Sequence, residues 1–276
     1  MKMIAIGDNV VDCYLDQQLY YPGGNAVNVA VHCKRNGFEE CAYIGIFGND
    51  KKADHIRRTL ELEQVTYELS RQVFARSGAP GVQLVEGNRV FVAGPKDTAQ
   101  HIVRLRLMPH DLEYIATFDV CHTSCYSNIE GELGSISKHC DISFDFSTNY
   151  STEYLQAVCP HIRYAFFSGA ELPEERLDLL IETCHSLGTA IVGITLGERG
   201  ALFSRNGERY VQAVKPTTVV DTMGAGDSFI AGFLTSFIKH GHMEQALDYA
   251  ADRAAVTCTF YGAYGYPHPF ETEEAW

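Results

Sequence analysis

Apolar residues fall in short bursts along this chain. "MIAIGD" (3–8) and "CAYIGIFG" (41–48) are near-continuous apolar runs that stop at glycine or a polar turn, the pattern of strands buried on both faces. Between them "GGNAVNVAVHCKRNG" (23–37) carries apolar residues at helical spacing and predicts a helix from about Ala26 to Asn36, stopped by Gly37. The bursts continue as "DVCH" (119–122), "DISFDFS" (141–147), "YAFFS" (164–168) and "AIVGITLG" (190–197). Helix-like stretches separate them, among them "PEERLDLLIETCHSLG", which begins at Pro173 and stops at Gly188. Strands alternating with helices predict an α/β fold with a doubly wound, mostly parallel sheet flanked by helices.

Two stretches break the rhythm, at about 13–22 and 70–93. The second contains "GAPGVQLVEGNRVFVAG" (78–94), which reads as strands around a turn at Gly87-Asn88. Inserted antiparallel strands of this kind predict a small β lid over the active site of a single domain spanning 1–276. Another hairpin is expected at "ALFSRNGERYVQA" (201–213), turning at Asn206-Gly207. A helix from Gly224 to His240 follows, with Phe229, Phe233 and Phe237 every four residues and Ile230, Leu234 and Ile238 widening the apolar face. A further helix is expected from Met243 to Tyr261.

Composition narrows the classes. A net charge of −13 with no basic run longer than a pair argues against a nucleic-acid partner, because an acidic surface repels phosphate backbones. Nine scattered cysteines, no N-terminal apolar run of signal-peptide length and no stretch long enough to span a membrane point to a reducing cytoplasm. Cys121, His122 and Cys125 lack a second ligand pair and lie beside a buried strand, so they read as packing rather than metal ligands.

The chemistry concentrates in "DTMGAGDSFIAGF" (221–233). Glycines at the start of a buried helix leave its first amides open, and the positive end of the helix dipole suits a phosphate. Asp227 would repel a phosphate held only for binding. It makes sense as a base that takes a proton from a hydroxyl attacking phosphorus while the amides stabilise the transferred group. Taken alone, "GAGD" is more often an ordinary capped helix start.

The longer string resembles the C-terminal signature of the ribokinase-like, or PfkB, family of carbohydrate kinases. The resemblance implies a ribokinase-like fold, Asp227 as catalytic base and the amides of Gly224, Ala225 and Gly226 as anion hole. "IGDNVVD", ending at Asp12, and "GGNAVNVA" (23–30) resemble the family's N-terminal blocks, which implies sugar contacts from Asp12, Gly23, Gly24, Asn25 and Asn28. Physically, Asp12 can accept hydroxyl hydrogen bonds, the glycines would let a sugar lie close to the backbone, and the asparagines both donate and accept.

"ITLGERGALF" resembles the strand and loop that hold ATP, making Thr195, Gly197 and Gly200 nucleotide candidates; without the resemblance they read equally well as a tight turn. Magnesium is implied, held through water by Glu171, although Ser168 replaces the asparagine of the family's Asn-x-x-Glu motif. Asp221 occupies the position of a potassium-binding aspartate, with bracing of the turn as the equal alternative.

The combination "IGDNVVDCY", "GGNAVNVAV" and "DTMGAGDSFIAGFL" is most similar to family members that phosphorylate the 6-hydroxyl of fructoselysine. The partner implied is thus a small sugar or sugar-amine, for which the acidic chain is suited. Kinases of a simple ketose, ribose or nucleoside remain the alternative, as does a non-catalytic sugar or nucleotide sensor, against which the retained Asp227 argues. An exposed lid edge would offer a homodimer contact.

Overall fold

Along the first strand Met3 and Ala5 point one way and Ile4 and Ile6 the other, and all four are fully buried. Each face of that strand therefore serves a separate apolar layer, which requires helices on both sides. The computed structural model describes residues 1–85, 88–92 and 94–270. Its strands are β1 (Lys2–Gly7), β2 (Val10–Tyr14), β3 (Leu19–Gly23), β4 (Glu40–Phe47), β5 (Val65–Thr66), β6 (Arg71–Gln72), β7 (Gly81–Val85) and β8 (Asn88–Phe91). They continue as β9 (Val120–Ser124), β10 (Asp141–Asp145), β11 (Tyr164–Ser168), β12 (Ile191–Thr195), β13 (Ala201–Arg205), β14 (Glu208–Gln212) and β15 (His268–Pro269).

The large sheet runs β14-β13-β12-β11-β10-β9-β1-β4-β5, with β6 also paired to β4. Pairs from β12 to β5 are parallel, whereas β13 and β14 add an antiparallel edge. The Asn206-Gly207 hairpin joins those last two strands as expected. From β1 the chain winds outward through β4, then crosses back to β9 and winds the other way. The strand order thus reverses between β1 and β9, where ligands bind in open α/β sheets.

The first helix, α1 (Asn25–Arg35), is capped by Asn36 and stopped by Gly37, at φ 104, as the sequence predicts. Next in chain order come α2 (Lys51–Leu62), short α3 (Ala99–Ile102), α4 (Pro109–Ile115), α5 (Leu133–Ile136), α6 (Thr152–Val158) and α7 (Glu174–Ser186). The last two are α8 (Ala225–His240) and α9 (Met243–Thr257). One face of the sheet packs Phe166 and Phe203 against Phe229 and Phe233 of α8 and Val27 and Val31 of α1. On the other, Ile142, Phe144 and Ile194 meet Ile115, Leu155, Leu177 and Ile181 from the remaining helices.

A second sheet, β15-β3-β2-β7-β8, stands apart. Its boundaries differ from the expected 13–22 and 70–93. The first segment begins at Val10 and so includes Asp12, because β2 starts only two residues after β1. Arg71–Gln72 instead extends the large sheet, pairing with Ile46 and Phe47 of β4 while Arg71 forms an ion pair with buried Asp111. His268–Pro269 adds a strand that no apolar pattern announced. The expected turn at Gly87-Asn88 lies partly outside the described residues, since Glu86 and Gly87 do.

Candidate active site

Helix α8 begins under constraint. Gly224 adopts φ 71, and a Cβ there would sit 2.5 Å from that of Ala263, so both backbone and space demand glycine. The first i to i−4 bond of the helix is Ser228 N–H to Gly224 O, 2.8 Å, and Ala225 N–H donates to Thr222 O at 3.2 Å, with the amide of Gly226 lying between them ahead of the helical ladder. Gly226 is exposed and nothing lies within 4 Å of where its Cβ would be. The positive end of the helix is thereby open on one side.

Asp227, in that first turn, is held by α1. Asn25 Nδ2 donates to its Oδ1 at 2.8 Å and Asn28 Nδ2 to its Oδ2 at 2.7 Å. Three residues apart, the two asparagines share a face of α1. Asp8 caps α1 by accepting the amides of Asn25 at 2.8 Å and Ala26 at 3.2 Å, and burial raises its carboxyl above the usual range. Gly24 enters the helix at φ 105 with the Asp8 carbonyl 2.7 Å from where its Cβ would be, while Gly23 leaves room for Asp12, whose Oδ2 would lie 2.3 Å from a Cβ. The glycines are thus needed for close approach, but of protein to protein. Asp12, 3% exposed, lies directly over the entry to α1.

The amide of Asn25 is fully engaged. Its Nδ2 also donates to Asp145 Oδ2 at 2.8 Å, and its Oδ1 lies 3.0 Å from Nε2 of His122, whose Nδ1 is 2.8 Å from Ser143 Oγ. The expectation that Asn25 contacts sugar gives way to a bracket between two carboxylates and a histidine. Asn28 differs: its Oδ1 is buried and has no hydrogen-bond partner among the described residues.

In the sequence the one signal at Asp145 is a carboxylate between two phenylalanines at the end of "DISFDFS". Its other oxygen accepts Ser147 N–H at 2.8 Å. Removal from water, with the nearby Asp227 charge, pushes its carboxyl up to about 7. His122, fully buried, is pushed down to about 3 by the same cause and is neutral. Cys121 faces the opposite core layer from His122, and no cluster of three metal-ligating side chains occurs among the described residues.

Asp221 is wholly buried and braces the loop. Its Oδ1 accepts Met223 N–H at 3.0 Å, and its Oδ2 accepts Gly262 N–H at 2.9 Å and the Tyr14 hydroxyl. Burial and that carboxylate hold the Tyr14 hydroxyl far above its usual pKa.

The remaining candidates lie farther along the sheet. Thr195 closes β12 beside Ser168 of β11, two strands and one strand beyond Asp145 of β10 respectively, a lateral span of about 10 Å for the two strands. The Thr195 hydroxyl donates to Phe167 O at 3.2 Å. Gly197 takes φ 60 with only Ala170 near its Cβ position, whereas at Gly200 (φ 88) the Gln212 carbonyl lies 2.0 Å from a Cβ, so Gly200 serves the turn itself. Glu171 is exposed just past β11.

A family model described as pfkB family carbohydrate kinase matches residues 3–269. The chain is 46% identical over 275 residues to the fructosamine kinase FrlD of Bacillus subtilis (strain 168), covering 99% of this chain and 96% of that protein. To a fructoselysine 6-kinase of Escherichia coli (strain K12) it is 32% identical over 271 residues, covering 96% and 100% respectively. The solved ribokinase of Giardia lamblia superposes with a TM-score of 0.81 at 17% identity, covering 96% of this chain and 94% of that one, a likeness of fold alone.

Proposed function

The chain belongs to the pfkB family of carbohydrate kinases, and from that premise we propose that it transfers the γ-phosphate of ATP to the 6-hydroxyl of fructoselysine. The observation that carries the acceptor is full-length likeness to proteins named for fructosamine and fructoselysine. As a family member it uses ATP and magnesium and acts on a small sugar. Its acidic surface suits an acceptor bearing amines.

In this reading Asp227 takes the proton of the 6-hydroxyl as that oxygen attacks phosphorus. The amides at Gly224 and Gly226 stabilise the charge that develops on the transferred group, and that of Ala225, which donates to Thr222 O at 3.2 Å, would join them by sharing its hydrogen. Asn28 supplies its buried, unpartnered Oδ1 to a sugar hydroxyl, and Asp12, over Gly23 and Gly24, accepts others. Asn25 orients the base instead of the sugar.

Nucleotide fits the open side of α8 and the line of strand ends out to β12, with Thr195, Gly197 and the Gly200 turn along its path. Magnesium, when bound, neutralises charge on the phosphates; Glu171, an exposed carboxylate on that path, would hold it through water, with Ser168 beside it. Asp221 stiffens the loop that a potassium ion would share. The second sheet closes over the acceptor, and its β8 edge, with Val90 and Phe91 exposed, is the proposed homodimer contact. Nine free thiols fit a reducing cytoplasm.

The test is magnesium-dependent ADP release with a panel of fructoselysine, glucoselysine, fructose, ribose and adenosine. Fructoselysine is expected to be preferred strongly, and Asp227→Asn to lose roughly 10²- to 10⁴-fold in kcat while still binding acceptor. Preference for another acceptor would replace the substrate. Nucleotide binding without turnover would replace the enzyme by a sensor.

A further inference from the structure

We propose that His122 is a positioning residue for phosphoryl transfer, acting on Asp227 through the side-chain amide of Asn25. The inference rests on the kinase reading of this site. Carboxylates accept hydrogen bonds, so the two hydrogens of Asn25 Nδ2 point at Asp227 and Asp145 and its Oδ1 faces His122. That fixes the histidine tautomer: Nε2 carries the hydrogen and donates to Asn25, and Nδ1 accepts from the Ser143 hydroxyl. One polar chain runs from β10 through β9 and α1 to the first turn of α8.

The carboxylates alone would orient the amide while both are charged. Once Asp227 takes up the acceptor's proton, its pull on the Asn25 N–H weakens. The His122 contact then keeps the amide from turning over and presenting oxygen to Asp145. The carboxyl groups that face this pocket among the described residues are Asp227 from α8, Asp145 from β10 and Asp8 from the β1–β2 connection. Neutral amide and imidazole donors do the orienting.

His122→Phe keeps a ring but deletes the donor, whereas His122→Gln can place an amide N–H near Nε2. His122→Phe is expected to lower kcat roughly 10- to 100-fold with a much smaller change in KM, because the freed Asn25 amide can turn and withdraw its N–H from the Asp227 carboxylate. Because a donor lost from a carboxylate raises its pKa, the acid limb of the kcat profile moves to higher pH. His122→Gln should recover most of both. Carboxyl titration of Asp227 by carbon NMR reads the same upward shift without any turnover, so loss of the kinase reading would not hide the result.

An unshifted Asp227 titration in His122→Phe overturns the proposal. So does a His122→Gln protein as impaired as His122→Phe with equal loss of Tm, which would make the residue one of packing. Should His122→Phe fail to fold, Ser143→Ala removes the hydroxyl that holds the imidazole from its Nδ1 side and must shift Asp227 in the same direction, by less; no shift there also refutes the relay.

Discussion

Asp145 and Asp227 accept from the same nitrogen of Asn25, yet they answer to different demands. Asp145 is drawn out of water next to a second carboxylate, and its pKa rises to about 7. In the unfolded chain the same group ionises near pH 4. Its contribution to stability is therefore complete below about pH 4 and is lost as pH rises through about 7. Measured from pH 5 to 8, the Tm of the wild type should fall relative to that of Asp145→Asn, whatever the offset between them. Parallel curves would mean that Asp145 is ionised in the fold throughout. The residue-scale lesson is that Asn25, Asn28 and Asp227 were visible as polar residues among glycines, whereas Asp145 and His122 looked like parts of buried strands.

At the scale of an element, the start of α8 separates two glycines that the sequence presents as equivalents. Gly224 is bound by φ 71 and by Ala263, so Gly224→Ala should destabilise by about 1–2 kcal/mol from the left-handed backbone alone, before the clash is counted. Gly226 has open space, so Gly226→Ala should fold normally and gain up to about 1 kcal/mol of helix propensity. A methyl group on the open side would nonetheless obstruct the phosphate, with kcat/KM for ATP falling at least about tenfold. Denaturant melts and steady-state kinetics on the pair decide it; a Gly226→Ala enzyme with unchanged ATP kinetics would move the anion site elsewhere. The glycine run was legible as a helix start. Which glycine serves the fold and which the ligand depended on Ala263, a residue far along the chain.

For the molecule as a whole, two apolar layers on either side of one sheet leave few thiols accessible. Cys125, Cys140 and Cys258 are half-buried and the other free cysteines are buried. A thiol reagent added to native protein should modify at most these three quickly, while denaturant should bring all nine into reaction. Rapid reaction of more than three would mean that the layers open more easily than their packing implies. Two-layer burial is also why strand positions were readable: runs such as "YAFFS" must be apolar on both faces. The five-stranded sheet was harder to read, since its β15 is two residues containing a proline and exists only through pairing with Leu19 and Tyr20.

By itself the sequence determined the alternation of strands and helices and the position of the glycine-led helix, both written in local spacing: apolar period, stop signals and adjacent glycines. The chemistry expected of Asp227 came from the resemblance of the longer string "DTMGAGDSFIAGF" to a family signature, since "GAGD" alone does not distinguish it from a capped helix start. The tertiary structure alone decided that Asn25 brackets two aspartates, that Asp221 braces a loop, and that His122 hydrogen-bonds into the Asn25 bracket. The partners of Asn25 lie 97, 120 and 202 residues away, and the Tyr14–Asp221 contact spans 207. A buried polar group must find a hydrogen-bond partner, but periodicity cannot say which distant one, because that choice is made only when the strand ends and helix starts meet.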